Sequence, residues 1–256
     1  MNCSITIQKI LLRSPFCFLA WCALVASPTC AQTITHVPLF TFHGDSDNDQ
    51  LGFEVSGTGD VNGDGFADLI AGAPFDDDNG SRSGTARVIS GIDGSVLYDF
   101  RGDIIDEIFG WSVSGAGDVN GDGFADLIVG APTFGNGILP NGSARVLSGI
   151  DGSVLYTLGV NSPTDFFARA VSGAGDVNGD GFADLIVGVP MADSAQVFSG
   201  IDGSVLYTLA DPGGQFFGRR VSGAGDVNLD GFADGTTKLV AGCITIEGVE
   251  NAAVNS

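Results

Sequence analysis

The chain has 256 residues, with 31 acidic side chains against ten Lys and Arg, and a formal charge of −21. So acidic a surface repels a phosphate backbone, which excludes a nucleic-acid partner. Glycine, at 40 residues, is far above its usual share of about 7%; that density argues against helices and for short strands joined by tight turns.

At the start of the chain Lys9 and Arg13 precede an apolar run from Phe16 to Ala26, and then Ser27-Pro28-Thr29-Cys30-Ala31. This is the layout of a secretory signal peptide, with cleavage expected after Ala31. The apolar run is too short to span a bilayer and no later segment reaches that length, so no transmembrane segment is expected after cleavage. The mature chain, residues 32–256, is expected outside the cell, secreted or at the cell surface, with a periplasm also open to it. Cys3, Cys17, Cys22 and Cys30 all fall in the leader, so Cys243 has no partner and no internal disulfide forms. The leader takes two of the ten basic residues and none of the acids, which leaves the mature chain at −23.

The mature chain repeats itself. The run from Val55 to Ile70 recurs almost unchanged from Val113, Val171 and Val221, and its first Asp residues, Asp60, Asp118, Asp176 and Asp226, are spaced by 58, 58 and 50. A second block, Gly-Ile-Asp-Gly-Ser-Val-Leu-Tyr, starts at Gly91, Gly149 and Gly200. A period of this size marks stacked supersecondary units, here residues 42–99, 100–157, 158–208 and 209–250. In the second unit the pattern predicts four strands: one ending at residues 111–114, then 125–130, 143–148 and 153–158, with an Asp151-Gly152 hairpin turn between the last two. The fold class is therefore all-β: a β-propeller of four-stranded antiparallel blades, partial, with three full blades and a split or incomplete fourth. A β-solenoid fits less well, since its coils are shorter and its strands parallel.

The fourth unit decays. Leu229 replaces a glycine, and Gly235-Thr236-Thr237-Lys238 interrupts the usual Asp-Leu-Ile-Val, so its second strand is expected near Leu239-Val240 and a third at residues 244–247. At the other end, residues 33–40 stand where a fourth strand would precede the first unit. Pairing that strand with the C-terminal ones would close a four-bladed ring. Blades shaped for a wider ring carry the wrong wedge angle for this, so an open arc is the expectation.

Each unit carries an Asp-x-Asn-x-Asp-Gly-x-x-Asp loop. Oxygen ligands fall at positions 1, 3, 5 and 9, with the backbone carbonyl of position 7: Asp60, Asn62, Asp64, Phe66 and Asp68; Asp118, Asn120, Asp122, Phe124 and Asp126; Asp176, Asn178, Asp180, Phe182 and Asp184; Asp226, Asn228, Asp230, Phe232 and Asp234. Alternate spacing turns the side chains of a curled loop toward one centre, and Gly at position 6 permits the sharp turn. An all-oxygen set favours calcium over zinc or copper, and about three to four ions are expected. Position 9 leads into a strand rather than a helix, which sets the loop apart from an EF-hand.

Phe109-Gly110, the Asp-rich loop and then Gly130-Ala131-Pro132 together resemble an FG-GAP repeat, the blade unit of the integrin α-subunit propeller and of many bacterial secreted proteins. The first unit has Gly52-Phe53 for the Phe-Gly and Gly72-Ala73-Pro74; the third has Phe167-Ala168 and Gly188-Val189-Pro190; the fourth has Phe217-Gly218. The resemblance covers about residues 42–234. It implies calcium in the loops between first and second strands, and a role in adhesion or ligand binding. Propellers of that family usually have seven blades, and this chain has three and part of a fourth.

Catalysis has no candidate constellation. His36 and His43 are the only histidines, the mature chain has no cysteine pair, and no Ser sits in a nucleophile turn. Arg101-Gly102-Asp103 is read as a turn after a fourth strand. Three functions fit: an adhesion or binding module for a protein or carbohydrate at the cell exterior, the accessory or remnant propeller of a secreted hydrolase, or a calcium-stiffened structural repeat. Non-repeated loops on a repeated scaffold, such as Phe75-Asp76-Asp77-Asp78-Asn79, favour the first.

Overall fold

The computed structural model describes residues 4–11, 35–46, 48–132, 142–159, 166–211, 216–226, 233–238 and 244–247. Strands β1 (Ser4–Leu11) and β2 (Thr35–His43) pair antiparallel. The first blade is β3 (Val55–Gly59), β4 (Asp68–Ala73), β5 (Thr85–Ile89) and β6 (Val96–Arg101). The second is β7 (Ser112–Gly117), β8 (Asp126–Ala131), β9 (Ser143–Leu147) and β10 (Val154–Gly159). The third is β11 (Val171–Gly175), β12 (Asp184–Val189), β13 (Ser194–Phe198) and β14 (Val205–Ala210). Each blade is an antiparallel meander in chain order. The last sheet has three strands, β15 (Arg220–Gly225), β16 (Asp234–Lys238) and β17 (Ile244–Glu247). The only helical element among the described residues is a 3-10 turn, Pro190–Ala192. The partial propeller of four-stranded blades expected from the repeat is therefore the observed architecture.

The innermost strands β3, β7, β11 and β15 lie side by side. The second strand of each blade is sandwiched between neighbours, and all six residues of β8 and of β12 are buried. Their Leu-Ile-Val run, apolar on both faces, suits that position. Apolar packing is organised between blades rather than around one centre. Val61, Ile70 and Val88 of the first blade pack with Phe109, Val113 and Leu127 of the second; the same arrangement recurs at the next junction, and at the third without a counterpart of Leu127, where Gly235 stands. Each blade is therefore stabilised mainly by its nearest neighbours, as in repeat arrays generally.

Glycines set how closely the blades approach. A Cβ on Gly115 would lie 2.9 Å from the Thr58 Cα, one on Gly173 2.9 Å from the Gly115 carbonyl, and one on Gly223 2.6 Å from the Gly173 carbonyl. The equivalent Gly57 has nothing within 4 Å. Among the described residues the inner face of the first blade is thus uncovered at Gly57, while Arg220 of β15 reaches Glu54, just ahead of β3, at 4.0 Å.

Strand β2 is nonetheless a fourth strand of the kind expected ahead of the first unit. Phe40 packs on Gly94 as Tyr98 packs on Gly152 one blade later, and Arg87 pairs with Asp45 as Arg145 pairs with Asp103. Its hydrogen-bonded partner is β1, not the C-terminal sheet. The cleavage point expected after Ala31 lies outside the described residues.

Two boundaries differ from expectation. The second strand of the last sheet is Asp234–Lys238 rather than a segment near Leu239-Val240. It keeps the register of its counterparts, with Gly225 opposite Asp234 and Val221 opposite Thr237, because a ladder is made by backbone groups and tolerates Gly-Thr-Thr. In the first unit the Phe-Gly position is filled by Leu51-Gly52, not Gly52-Phe53. Leu51 is buried where Phe109 is buried, Gln50 and Ile108 both have positive φ, and Phe53 stands where Trp111 stands. Leu51 supplies the same apolar anchor, so the motif survives without its phenylalanine.

Replacing Gly115 by Ala is expected to lower unfolding stability by about 1–3 kcal/mol through overpacking against the neighbouring backbone. Replacing Gly57 is expected to leave it within about 0.5 kcal/mol, since its φ is ordinary and space is free. Urea melts measure both. An equal loss at the two positions would show that another strand covers Gly57 and that the ring is closed.

Candidate metal centre

The Asp loops join the first and second strands of each blade and line one end of the arc. Their curl comes from a carboxylate that gathers backbone donors. In the second blade, Asp118 Oδ1 accepts N–H bonds from Gly121 at 2.7 Å and Asp122 at 3.1 Å, and its Oδ2 accepts from Gly123 at 2.9 Å. Asn120 Oδ1 accepts from the Asp122 N–H, and Asp122 Oδ1 from the Phe124 N–H, each at 2.9 Å. Gly121 and Gly123 have φ of 76° and 90°, which side chains other than glycine rarely adopt. The loops at Asp60 and Asp176 repeat this pattern bond for bond.

The position-nine aspartates behave differently. Asp126 is fully buried; its Oδ2 accepts the Val119 N–H at 2.9 Å and its Oδ1 the Gly149 N–H at 3.0 Å. Asp68 and Asp184 make the equivalent pairs, to Val61 and Gly91 and to Val177 and Gly200. Each therefore ties the start of its loop to the hairpin turn between the third and fourth strands, a role the ligand spacing alone does not announce. The signal for it is present in the sequence, since Asp68, Asp126 and Asp184 are each followed by a Gly-Ile-Asp-Gly block. Burial raises the pKa of Asp126 and Asp184, against the lowering effect of those N–H bonds.

Successive loops touch. The Ala125 N–H reaches the Asp60 carbonyl at 3.4 Å, Ala183 the Asp118 carbonyl at 3.1 Å, and Ala233 the Asp176 carbonyl at 3.0 Å. The Phe124 ring covers Gly63, and Phe182 covers Gly121. Position seven thus lays its ring on the preceding loop.

This donor set fits a hard divalent cation. A carboxylate has about four lone-pair sites and an amide oxygen about two, and Asp118, Asn120, Asp122 and Asp126 each spend only some of theirs on internal hydrogen bonds. The first and fifth positions, in the first three blades, are turned to solvent or partly so. The carboxylates stay apart, however. Among the described residues the three carboxylates whose oxygens all lie within 4.8 Å of one another are Asp45, Asp76 and Asp78, not members of a loop. That group was not singled out in the sequence, because Asp45 stands far along the chain from Asp76 and Asp78 and spacing does not encode their meeting. Arg87 pairs with Asp45 at 2.9 Å and Arg101 with Asp78 at 3.4 Å, while the buried Asp76 accepts the Asp78 N–H. These acids are already neutralised or hydrogen-bonded. In the fourth loop Asp226 and Asp234 are placed, and Asn228, Asp230 and Phe232 lie outside the described residues.

Arg101-Gly102-Asp103 is locked in a turn. The Gly102 N–H bonds to the Gly84 carbonyl, Arg101 pairs with Asp99 and Asp78, and Arg145 bridges Asp103 and Glu107.

The Gly-Ala-Pro and Phe-Gly elements meet across blades. A Cβ on Gly72 would lie 1.9 Å from the Gly110 carbonyl, one on Gly130 2.5 Å from the Ala168 carbonyl, and one on Gly188 1.9 Å from the Gly218 carbonyl. In keeping with this geometry, residues 52–89, 109–147 and 167–206 match the FG-GAP repeat. The chain is 32% identical over 183 residues to integrin alpha-5 of Xenopus laevis, covering 63% of this chain and 17% of that protein. It is 34% identical over 170 residues to integrin alpha-7 of Mus musculus (63% and 14%) and 32% identical over 172 residues to integrin alpha-PS5 of Drosophila melanogaster (62% and 17%). It thus spans under a fifth of the length of these relatives.

With calcium chelated, Asp126→Ala is expected to lose about 2–4 kcal/mol of unfolding stability, because two buried N–H groups are left without acceptors. Asp122→Ala, whose carboxylate lies at the surface, should lose little under the same conditions. Paired urea melts in chelator measure this, and equal effects would show that position nine has no structural role.

Proposed function

This chain is an FG-GAP repeat protein, and on that footing we propose that it is a secreted, calcium-binding module whose propeller arc presents a ligand-binding surface at the cell exterior. One observation carries the binding role. The repeats are nearly identical at the Asp-loop end of the blades and diverge at the other end. There the position after each Phe-Gly is Phe53, Trp111, Arg169 and Arg219 in turn. A purely structural array has no use for that contrast, whereas recognition does. Its similarity to integrin α chains points the same way.

Calcium is assigned to the sets at Asp60, Asp118 and Asp176, with the Asp226 set as a fourth. Bound there, it neutralises carboxylates that otherwise repel one another and clamps loops that already touch. Without a disulfide, this is the strongest available restraint on the first-to-second strand connections. No helix among the described residues is long and apolar enough to cross a membrane. Export is assigned from the leader; its removal would also free the edge of β2 that β1 occupies.

Calorimetry should give three to four calcium sites. At a dissociation constant of about 0.1 mM, about 2 mM calcium adds roughly 1.8 kcal/mol per site, so thermal melts should shift upward with calcium and fall with chelator. An unchanged midpoint, or zinc binding in place of calcium, would overturn the assignment. Exported protein whose N-terminal sequence starts at Met1 rather than near Gln32 would overturn the leader.

A further inference from the structure

Equivalent positions at successive blade junctions are filled in different ways. Between the first and second blades Phe53, Phe75 and Trp111 pack together, with ring centroids 4.6 Å apart for Phe53 and Trp111 and 6.2 Å for each with Phe75. Between the third and fourth blades the same three positions are Arg169, Met191 and Arg219. The aromatic filling is gone, and a cavity of about 270 Å³ takes its place, walled also by Phe166, Pro190 and Phe216.

The walls and the charges of this cavity differ in kind. Phe216 is 53% exposed and Met191 likewise 53%. Phe216 is held at a φ of 61°, its N–H donating to Asp193 Oδ1 at 2.7 Å. A bulky residue in that conformation is strained by about 1–2 kcal/mol, so the ring is placed by the surrounding structure rather than by its own preference. Arg169 is half-buried, with its guanidinium 4.8 Å from the centre of the Trp111 ring. Among the described residues Arg82, Arg87, Arg101 and Arg145 all sit in carboxylate ion pairs, and neither Arg169 nor Arg219 does. The nearby Glu54 pairs at 4.0 Å with Arg220 and is not part of the cavity wall. Burial, with repulsion from Arg219 and Arg220, lowers the Arg169 pKa, partly offset by Glu54. Two cations, neither in a carboxylate ion pair among the described residues, thus flank an apolar hollow in a chain that is otherwise strongly acidic.

We propose that this junction binds a carboxylate borne on an apolar body, such as an aryl-alkanoate or the free C-terminus of a peptide ending in Phe. The carboxylate lies between the Arg169 and Arg219 guanidinia, whose planar forks match its two oxygens. The apolar body enters the space that Phe75 and its partners fill at the first junction. This deepens the ligand-binding role proposed above and rests on it.

Calorimetry on the full chain in calcium uses 3-phenylpropionate and N-acetyl-phenylalanine as probes, with 3-phenylpropanol and inorganic phosphate as comparators. The expected result is saturable binding of at least one acid, with a dissociation constant on the order of 1 mM or below and at least tenfold weaker binding of the alcohol and of phosphate. Tighter binding of N-acetyl-phenylalanine assigns a chain terminus as the source, and tighter binding of 3-phenylpropionate a free acid. Arg219→Gln should weaken binding at least tenfold, and Met191→Phe, which places a ring where the first junction has Phe75, should abolish it, both with unchanged calcium-bound melting. No saturation, equal binding of the alcohol or phosphate, or indifference to both substitutions overturns the pocket. If calcium still raises the melting midpoint in that case, the calcium-binding propeller stands without it.

Discussion

Gly72, Gly130 and Gly188 stand where a Cβ would fall within 2.5 Å of the next blade's backbone, and everything else in the arc follows from that approach. Because one blade's backbone rests directly on another's, the apolar clusters form between blades rather than within them. The second strands are then enclosed on both sides, and the inner strands come close enough to need glycine at positions 115, 173 and 223. The Phe-Gly that meets each Gly-Ala-Pro needs an apolar anchor and a flexible backbone. Leu51-Gly52 and Phe167-Ala168 satisfy that requirement with altered residues.

The same nearest-neighbour logic runs along the Asp-loop end. Each of the first three loops is curled internally by its first Asp and tied to its own blade by its ninth, and the second and third are joined to the loop before them through Ala and Phe. A cation bound in one loop therefore stiffens a contact shared with another. Electrostatics and packing act together here: backbone N–H bonds offset the negative charge that the acids concentrate at this end, without drawing their carboxylates together.

At the opposite end the scaffold is freed from that task, and its residues vary. Aromatic packing at the first junction gives way to arginine stacked on tryptophan at the second and to a cationic hollow at the third. One scaffold thus carries a uniform face and a graded one. This division suits a protein that keeps its shape with one end and meets a partner with the other.

Much of this was legible in the sequence, because repetition turns weak local signals into strong ones. The four-strand unit, the loop with its alternate oxygens and the glycine at its sharp turn all follow from residue type and spacing along one stretch of chain. So did β2 as a preceding fourth strand, since Phe42-His43-Gly44 copies Phe100-Arg101-Gly102. Other features depend on which distant segments meet, and spacing does not encode that. The inward tie made by Asp68, Asp126 and Asp184 requires a turn folding back from 16 to 23 residues later. The role of Leu51 appears only when it is seen in the Phe109 position. The pairing of β2 with β1 depended on which strand edge was free, as did the uncovered Gly57. The hollow between Arg169 and Arg219 exists because two blades bring together side chains 50 residues apart; no run of sequence contains it, and only tertiary packing decides whether such a place is filled or left open.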